Sequence, residues 1–148
     1  MSMKNVDSIL VEKAINYLGT EVLRLGGDEV RIIWKTLVKQ YSAIAKYEYP
    51  FWEYMEPFAS VCIEHPWKRI DHFVKDKNLI LLLEWDEEQE TAWEFNNVKD
   101  LQAVLNESIR YDFYLTDRTA SYLIAYNDHG YLIASGAAMS VTVTGSDN

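Results

Sequence analysis

Between Val6 and Lys46, apolar positions recur at the spacing of an α-helix. Ile9, Leu10, Ala14, Ile15, Leu18 and Val22 form one series, and Ile32, Ile33, Leu37, Tyr41 and Ile44 form a second. Asp7 or Ser8 can cap the first series by accepting a hydrogen bond from a free backbone N–H. Gly26-Gly27 is the expected stop, because glycine enters the left-handed conformation at little cost, and Asp28 offers a new N-cap. The expectation is two amphipathic helices, arranged as a hairpin or an L.

The pattern then breaks. Tyr47 to Trp67 reads YEYPFWEYMEPFASVCIEHPW, with Pro50, Pro57 and Pro66 among many aromatics. Each proline disfavours helix at the residue before it. Irregular chain is expected here, with one short helical turn and a short strand around Ala59 to Ile63. WKRIDHFV (Trp67 to Val74) is a weak strand candidate. NLILLLEW (Asn78 to Trp85) is apolar without alternation, as in a strand buried on both faces in the middle of a sheet. Asp86 to Gln89 is the loop of a hairpin that returns as TAWEF (Thr91 to Phe95).

A second change of period follows. Val98, Leu101, Val104, Leu105 and Ile109 make one apolar helical stripe, capped by Asn96 or Asn97; with Asn97 as N-cap, Asp100 completes an approximate capping box. Strands are expected at Tyr111–Leu115, Ser121–Tyr126 and Tyr131–Ser135, turned by Thr116-Asp117-Arg118 and by Asn127-Asp128-His129-Gly130. From Met139 the tail extends the last strand or frays. Together these elements define an α+β fold in one domain, residues 1–148. N-terminal helices pack on an antiparallel sheet of about five or six strands, and a further helix precedes a C-terminal three-strand meander.

Composition changes this picture little. The chain has 148 residues, 49% hydrophobic and 25% charged, enough for a core without disulfides or metal. One cysteine, Cys62, cannot form an intramolecular disulfide, which fits a reducing cytosol. The early sequence resembles neither a signal peptide nor a membrane span, so a cytoplasmic protein is expected. Charge is more informative. The net charge of −9 disfavours nucleic acid and anionic membrane, both polyanions, and would speed association with a basic partner.

Four groups of residues carry candidate chemistry. The densest charge cluster is the hairpin from Glu84 to Glu94. Asp86, Glu87, Glu88 and Glu90 with Trp85 and Trp93 form the expected partner-binding patch, the alternative being a solvated turn. Cys62, His65 and His72 are spaced C-x2-H-x6-H. They lack the fourth ligand and the paired spacing of a structural zinc site, and no family signature of a cysteine nucleophile surrounds Cys62. Gly26-Gly27 lacks the spacing of a phosphate-binding loop, and no GxSxG elbow occurs. The aromatic cluster of Tyr47, Tyr49, Phe51, Trp52, Tyr54 and Phe58 reads as core or as a recognition surface, with core favoured. No metal, cofactor or catalytic residue is expected.

The stretch DFYLTDRTASYLIAYNDHGYLIASG resembles the C-terminal strands of small bacterial immunity proteins, the antidotes of polymorphic or LXG-type toxins. The matching positions are Tyr114, Thr116, Asp117, Tyr122, Tyr126, Asn127, His129 and Gly136. The resemblance covers about the last third of the chain and is structural rather than catalytic. It implies a non-enzymatic antitoxin that binds and neutralises a cognate toxin protein in the cytoplasm, and the acidic charge of the chain points to a basic one. The alternative is a small enzyme or ligand-binding domain using the Cys62–His72 region. A homodimer joined through exposed sheet edges is a third reading.

Overall fold

The computed structural model describes residues 4–62, 65–74, 78–85, 91–108, 111–127 and 130–137. The helices α1 (Lys4–Leu18), α2 (Gly27–Tyr41), α3 (Ile70–Phe73) and α4 (Val98–Ser108) surround seven strands. These are β1 (Val22–Leu25), β2 (Ala59–Cys62), β3 (Leu79–Leu82), β4 (Ala92–Phe95), β5 (Phe113–Thr116), β6 (Tyr122–Tyr126) and β7 (Tyr131–Gly136). They form one antiparallel sheet in the order β1-β4-β3-β5-β6-β7-β2. The architecture is α+β, with α1 and α2 near the N-terminus and a C-terminal strand meander.

Both faces of the sheet are covered. Leu79 and Leu81 of β3 point to one face, where they join Val11 and Ile15 of α1, Ile70, and Leu101, Val104 and Leu105 of α4. Ile80 and Leu82 point to the other face, against Ile33, Trp34, Leu37 and Tyr41 of α2. This explains the unbroken apolar run of β3: alternate residues enter two different cores. The two N-terminal helices are therefore neither a hairpin nor an L, because the sheet lies between them.

What separates them is a strand that the helical reading missed. The first helix ends at Leu18, and Gly19 takes φ +67° with its N–H donating to the Asn16 carbonyl. Thr20 N–H donates to the Ile15 carbonyl, which completes the glycine-type stop. Val22 leaves the helical series and pairs with Phe95 as the first residue of β1. Gly26, expected to stop the first helix, is extended and serves as the N-cap of α2. Asp7, expected as a cap, lies inside the first turn of α1. Ile9 and Ile32, expected on the inner stripes, are exposed.

The segment expected as a weak strand, Trp67 to Val74, is instead a 3-10 turn (Pro66–Arg69) running into α3. Proline at the first position of a helical turn loses no hydrogen bond, since that N–H would be unpaired in any case. Gln102 of α4 fastens this turn by donating to the Trp67 and Lys68 carbonyls, at 3.2 and 3.1 Å. The cap of α4 forms as expected, with Asp100 N–H donating to Asn97 Oδ1 at 2.9 Å.

β3 and β4 form a hairpin, and α4 carries the chain over β3 to its other side, where β5 pairs with it. The meander β5-β6-β7 follows, and β2 closes its far edge. The expected short strand around Ala59 to Ile63 is thus present as an edge. Ile109 and the tail from Met139 lie outside the described residues. No helix among the described residues is long and apolar enough to cross a membrane.

Candidate functional site

β3 runs into Leu83, Glu84 and Trp85 at the sheet end nearest α2 and the aromatic segment. Glu84 is buried, yet its carboxylate is densely bonded. It accepts from the Tyr47 hydroxyl at 2.6 Å, from Phe51 N–H at 2.8 Å and from the Tyr114 hydroxyl. Each tyrosine oxygen accepts a backbone N–H in turn: Trp85 N–H reaches Tyr47 at 3.1 Å, and Trp52 N–H reaches Tyr114 at 2.9 Å. Burial first, and the adjacent Glu84 charge second, push both hydroxyls far above their ordinary range. Both therefore stay protonated and keep donating.

This network pins the proline-rich segment to the sheet. Tyr47 stacks on Phe51 at 5.8 Å, and the edges of Trp34 and Trp85 approach Tyr47 at 5.4 and 5.6 Å between centroids. Phe51 is fully buried and begins a single 3-10 turn (Phe51–Tyr54). The aromatic cluster serves two roles. Tyr47, Phe51 and Trp52 pack against the α2 core, whereas Tyr49 and Phe58 are exposed. Phe58 joins Trp52 and Tyr131 around a shallow hollow of about 330 Å³ beside edge strand β2.

Beside the Glu84 network, α2 and the aromatic segment enclose a cleft of about 500 Å³. Trp34, Val38, Ala45, Tyr47 and Trp85 supply its apolar lining. Arg31, Lys35 and Lys39 line it from α2. Their i, i+4, i+8 spacing sets them on one face of the helix, roughly 6 Å apart at 1.5 Å per residue. Arg31 lies 3.4 Å from Asp28. Among the described residues, Lys35 and Lys39 take part in no ion pair.

The expected acidic patch separates into parts. Asp86, Glu87, Glu88 and Glu90 lie outside the described residues. Trp85 is half-buried at the cleft, immediately before them in the chain. Trp93, expected beside it on the surface, is fully buried on the opposite face of the sheet, and its indole N–H donates to Glu12 at 2.9 Å. The reason is register. Trp93 pairs with Leu81, which points to the α1 side, and α1 supplies the carboxylate. Glu84 is consumed by its network, and Glu94 receives two bonds of 2.9 Å from Arg118, which also reaches Glu29 of α2.

Cys62 is exposed at the end of β2. His65 takes φ +52° and meets the Trp67 ring at 5.1 Å between centroids. The side chain of His72 lies outside the described residues. The cleft is not legible from sequence, because its parts come from three separate segments. The i, i+4, i+8 series of basic residues was visible but unremarkable on an exposed helix face.

The residues that carry the immunity-protein resemblance build the meander. Thr116 Oγ1 donates to the Tyr122 carbonyl at 2.6 Å, and the Tyr122 hydroxyl returns a bond to the Thr116 carbonyl. Asp117 Oδ1 accepts from Thr119 N–H and Ser121 N–H, at 3.1 and 3.0 Å, while its other oxygen bonds the Ser121 hydroxyl. Burial alone would raise the Asp117 carboxyl, but these bonds outweigh it and hold the group below its ordinary range. Asn127 Oδ1 accepts from Tyr131 N–H at 3.2 Å, and His129 lies outside the described residues. Gly136 has φ +69°, and a Cβ there would fall 2.6 Å from both the Ser121 carbonyl and the Tyr41 hydroxyl.

The fold is thus an α+β protein whose sheet is covered on both faces, with an aromatic, cation-lined cleft at one end. The chain belongs to the family described as a family of unknown function (DUF6756), whose model matches residues 8–145. No curated protein and no solved structure matches it significantly.

Proposed function

We propose that the chain is an immunity protein, an antidote that neutralises a cognate toxin by binding it, and that its contact surface is centred on Trp85. The observation that carries this reading is the position of Trp85. It is half-buried in the lining of a preformed cleft, and the chain continues from it into DEEQE, the densest acidic run in the sequence. Tryptophan, tyrosine and arginine dominate the energetics of protein interfaces, most of all where a pocket already exists. The acidic run supplies attraction for a basic toxin, and such exposed charge acts mainly on association rate. The likeness of the meander to immunity proteins adds to the reading but names no toxin. Neutralisation requires no chemistry from this chain, only occupation of the toxin's working surface.

The test is capture of the neighbouring gene's product by the full-length chain, followed by kinetics. Trp85→Ala should raise the dissociation rate at least tenfold, about 1.4 kcal/mol of lost interface, in a variant whose melting curve shows that it remains folded. Reversing Asp86, Glu87, Glu88 and Glu90 together should slow association at low salt, and the difference should shrink at high salt. Absence of any complex, or a complex insensitive to both changes, would refute the assignment.

A further inference from the structure

We infer that the cleft between α2 and the Tyr47–Trp85 corner is a binding site for a small anionic molecule with a flat, apolar body. This goes beyond the antidote reading and stands without it. Three observations converge. The volume, about 500 Å³, lies within the range of cavities that hold small organic ligands. Its walls are rings and aliphatic groups: Trp34, Tyr47 and Trp85, with Val38 and Ala45. Among the described residues its charged members are all positive, and all come from one face of α2.

The lining selects for shape and charge together. Tyr47 cannot swing to admit or exclude a ligand, because its hydroxyl is held by Glu84 and its ring is stacked on Phe51. The wall is therefore preformed, and a flat molecule loses little freedom in meeting it. Lys35 and Lys39, without ion pairs among the described residues, supply donors to an incoming anion and retain the mobility to reach it. Arg31 adds a planar fork at the N-terminal end of the row. On a chain of net charge −9, three cations gathered on one apolar cleft run against the overall field. That contrast favours local complementarity to an anion over general solubility. Carboxylate and phosphate share the chemistry this row would recognise.

Isothermal titration calorimetry on the full chain tests the inference, with 1-naphthyl phosphate, 1-naphthoate and uncharged 1-naphthalenemethanol as probes. Saturable one-to-one binding of either anion is expected, at least about tenfold tighter than the neutral probe, with the margin narrowing at high salt. Binding of the phosphate alone would assign the site to phosphate monoesters, and binding of both anions to anions generally. Lys35→Gln combined with Lys39→Gln alters only exposed side chains and should weaken the anions about tenfold while leaving the neutral probe unchanged. Trp85→Ala should weaken all probes that bind. No saturable heat with either anion, equal binding of charged and neutral probes, or indifference to the lysine substitutions would each overturn the inference. A failed toxin capture would not bear on it, since these titrations contain no protein partner.

Discussion

Glu84 is the hinge of the α2 side of the molecule, and Glu84→Gln measures how much. The carboxylate accepts from two tyrosine hydroxyls and one backbone N–H in a buried setting. Glutamine keeps one oxygen and replaces the other with an NH2 group, so one donor meets another donor. A hydrogen bond to a charged group is worth about 1.5–3 kcal/mol net, and a buried group left unsatisfied costs about 1–3 kcal/mol. One bond lost and the others weakened gives about 3 kcal/mol, a large part of the 5–15 kcal/mol typical of a domain. For a chain of this size that lowers the melting temperature by roughly 6–12 °C. Thermal and urea denaturation followed by circular dichroism would read both values. Tyr114→Phe supplies the control: alone it should cost about 1–2 kcal/mol, and it should shrink the effect of Glu84→Gln, since both touch one network. A Glu84→Gln variant that melts with the parent, or costs that add within about 0.5 kcal/mol, would refute the idea that these groups act as a unit.

Other substitutions probe the rest of the fold. Leu105→Asp places a charge in the fully buried stripe of α4 and should cost about 4 kcal/mol or prevent folding, read by denaturation; parent-like melting would mean that α4 does not pack on the sheet. Trp93→Ala should cost about 3–5 kcal/mol of stability, more than Trp85→Ala, whose ring is only half-buried against the α2 core. Burial, and then the nearby Asp112, raise the Asp7 carboxyl to about 6. Such an acid favours the folded state below its unfolded value near 4 and loses that contribution as pH rises through 6. Asp7→Asn should therefore stabilise the protein at pH 8, by about 1 kcal/mol after allowance for solvent screening at this half-buried site, and the gain should vanish at pH 4 in parallel melts.

The second half of the chain was legible because its signals are local. The β3 run, the Asn97 cap and the three strands of the meander each announce themselves within a dozen residues, and each is paired with a neighbour in sequence. The first half was less legible. Val22 continues a helical series by spacing, and only its pairing with Phe95 makes it a strand. Leu23 and Arg24 are exposed, so the four residues of β1 carry no clear alternation. The candidate site was harder still. Trp85 and Trp93 look equivalent in EWDEEQETAWE, yet the hairpin register sends one to the α2 side and the other to the α1 core. The cleft depends on Ala45, Tyr47 and Trp85 meeting α2, an encounter held by a carboxylate that reads in sequence as one more acid in an acidic run.

The strand order carries a consequence for synthesis on the ribosome. The two outermost strands are the first two made. Val22 must wait for Phe95, and Ala59 for Ala134, each about seventy residues later. The earliest sheet pairings available to a growing chain are those that β3 and β1 make with β4, so no ladder of the sheet can form before Ala92 emerges. Until then α1 and α2 present apolar stripes with no sheet to cover. The nascent protein thus passes through a long helical, sheetless stage. β4 then gathers β3 on one side and β1 on the other, β5 to β7 follow, and β2 joins the far flank last; as the two edges of the sheet, β1 and β2 should be the strands whose amides exchange earliest once the fold is complete.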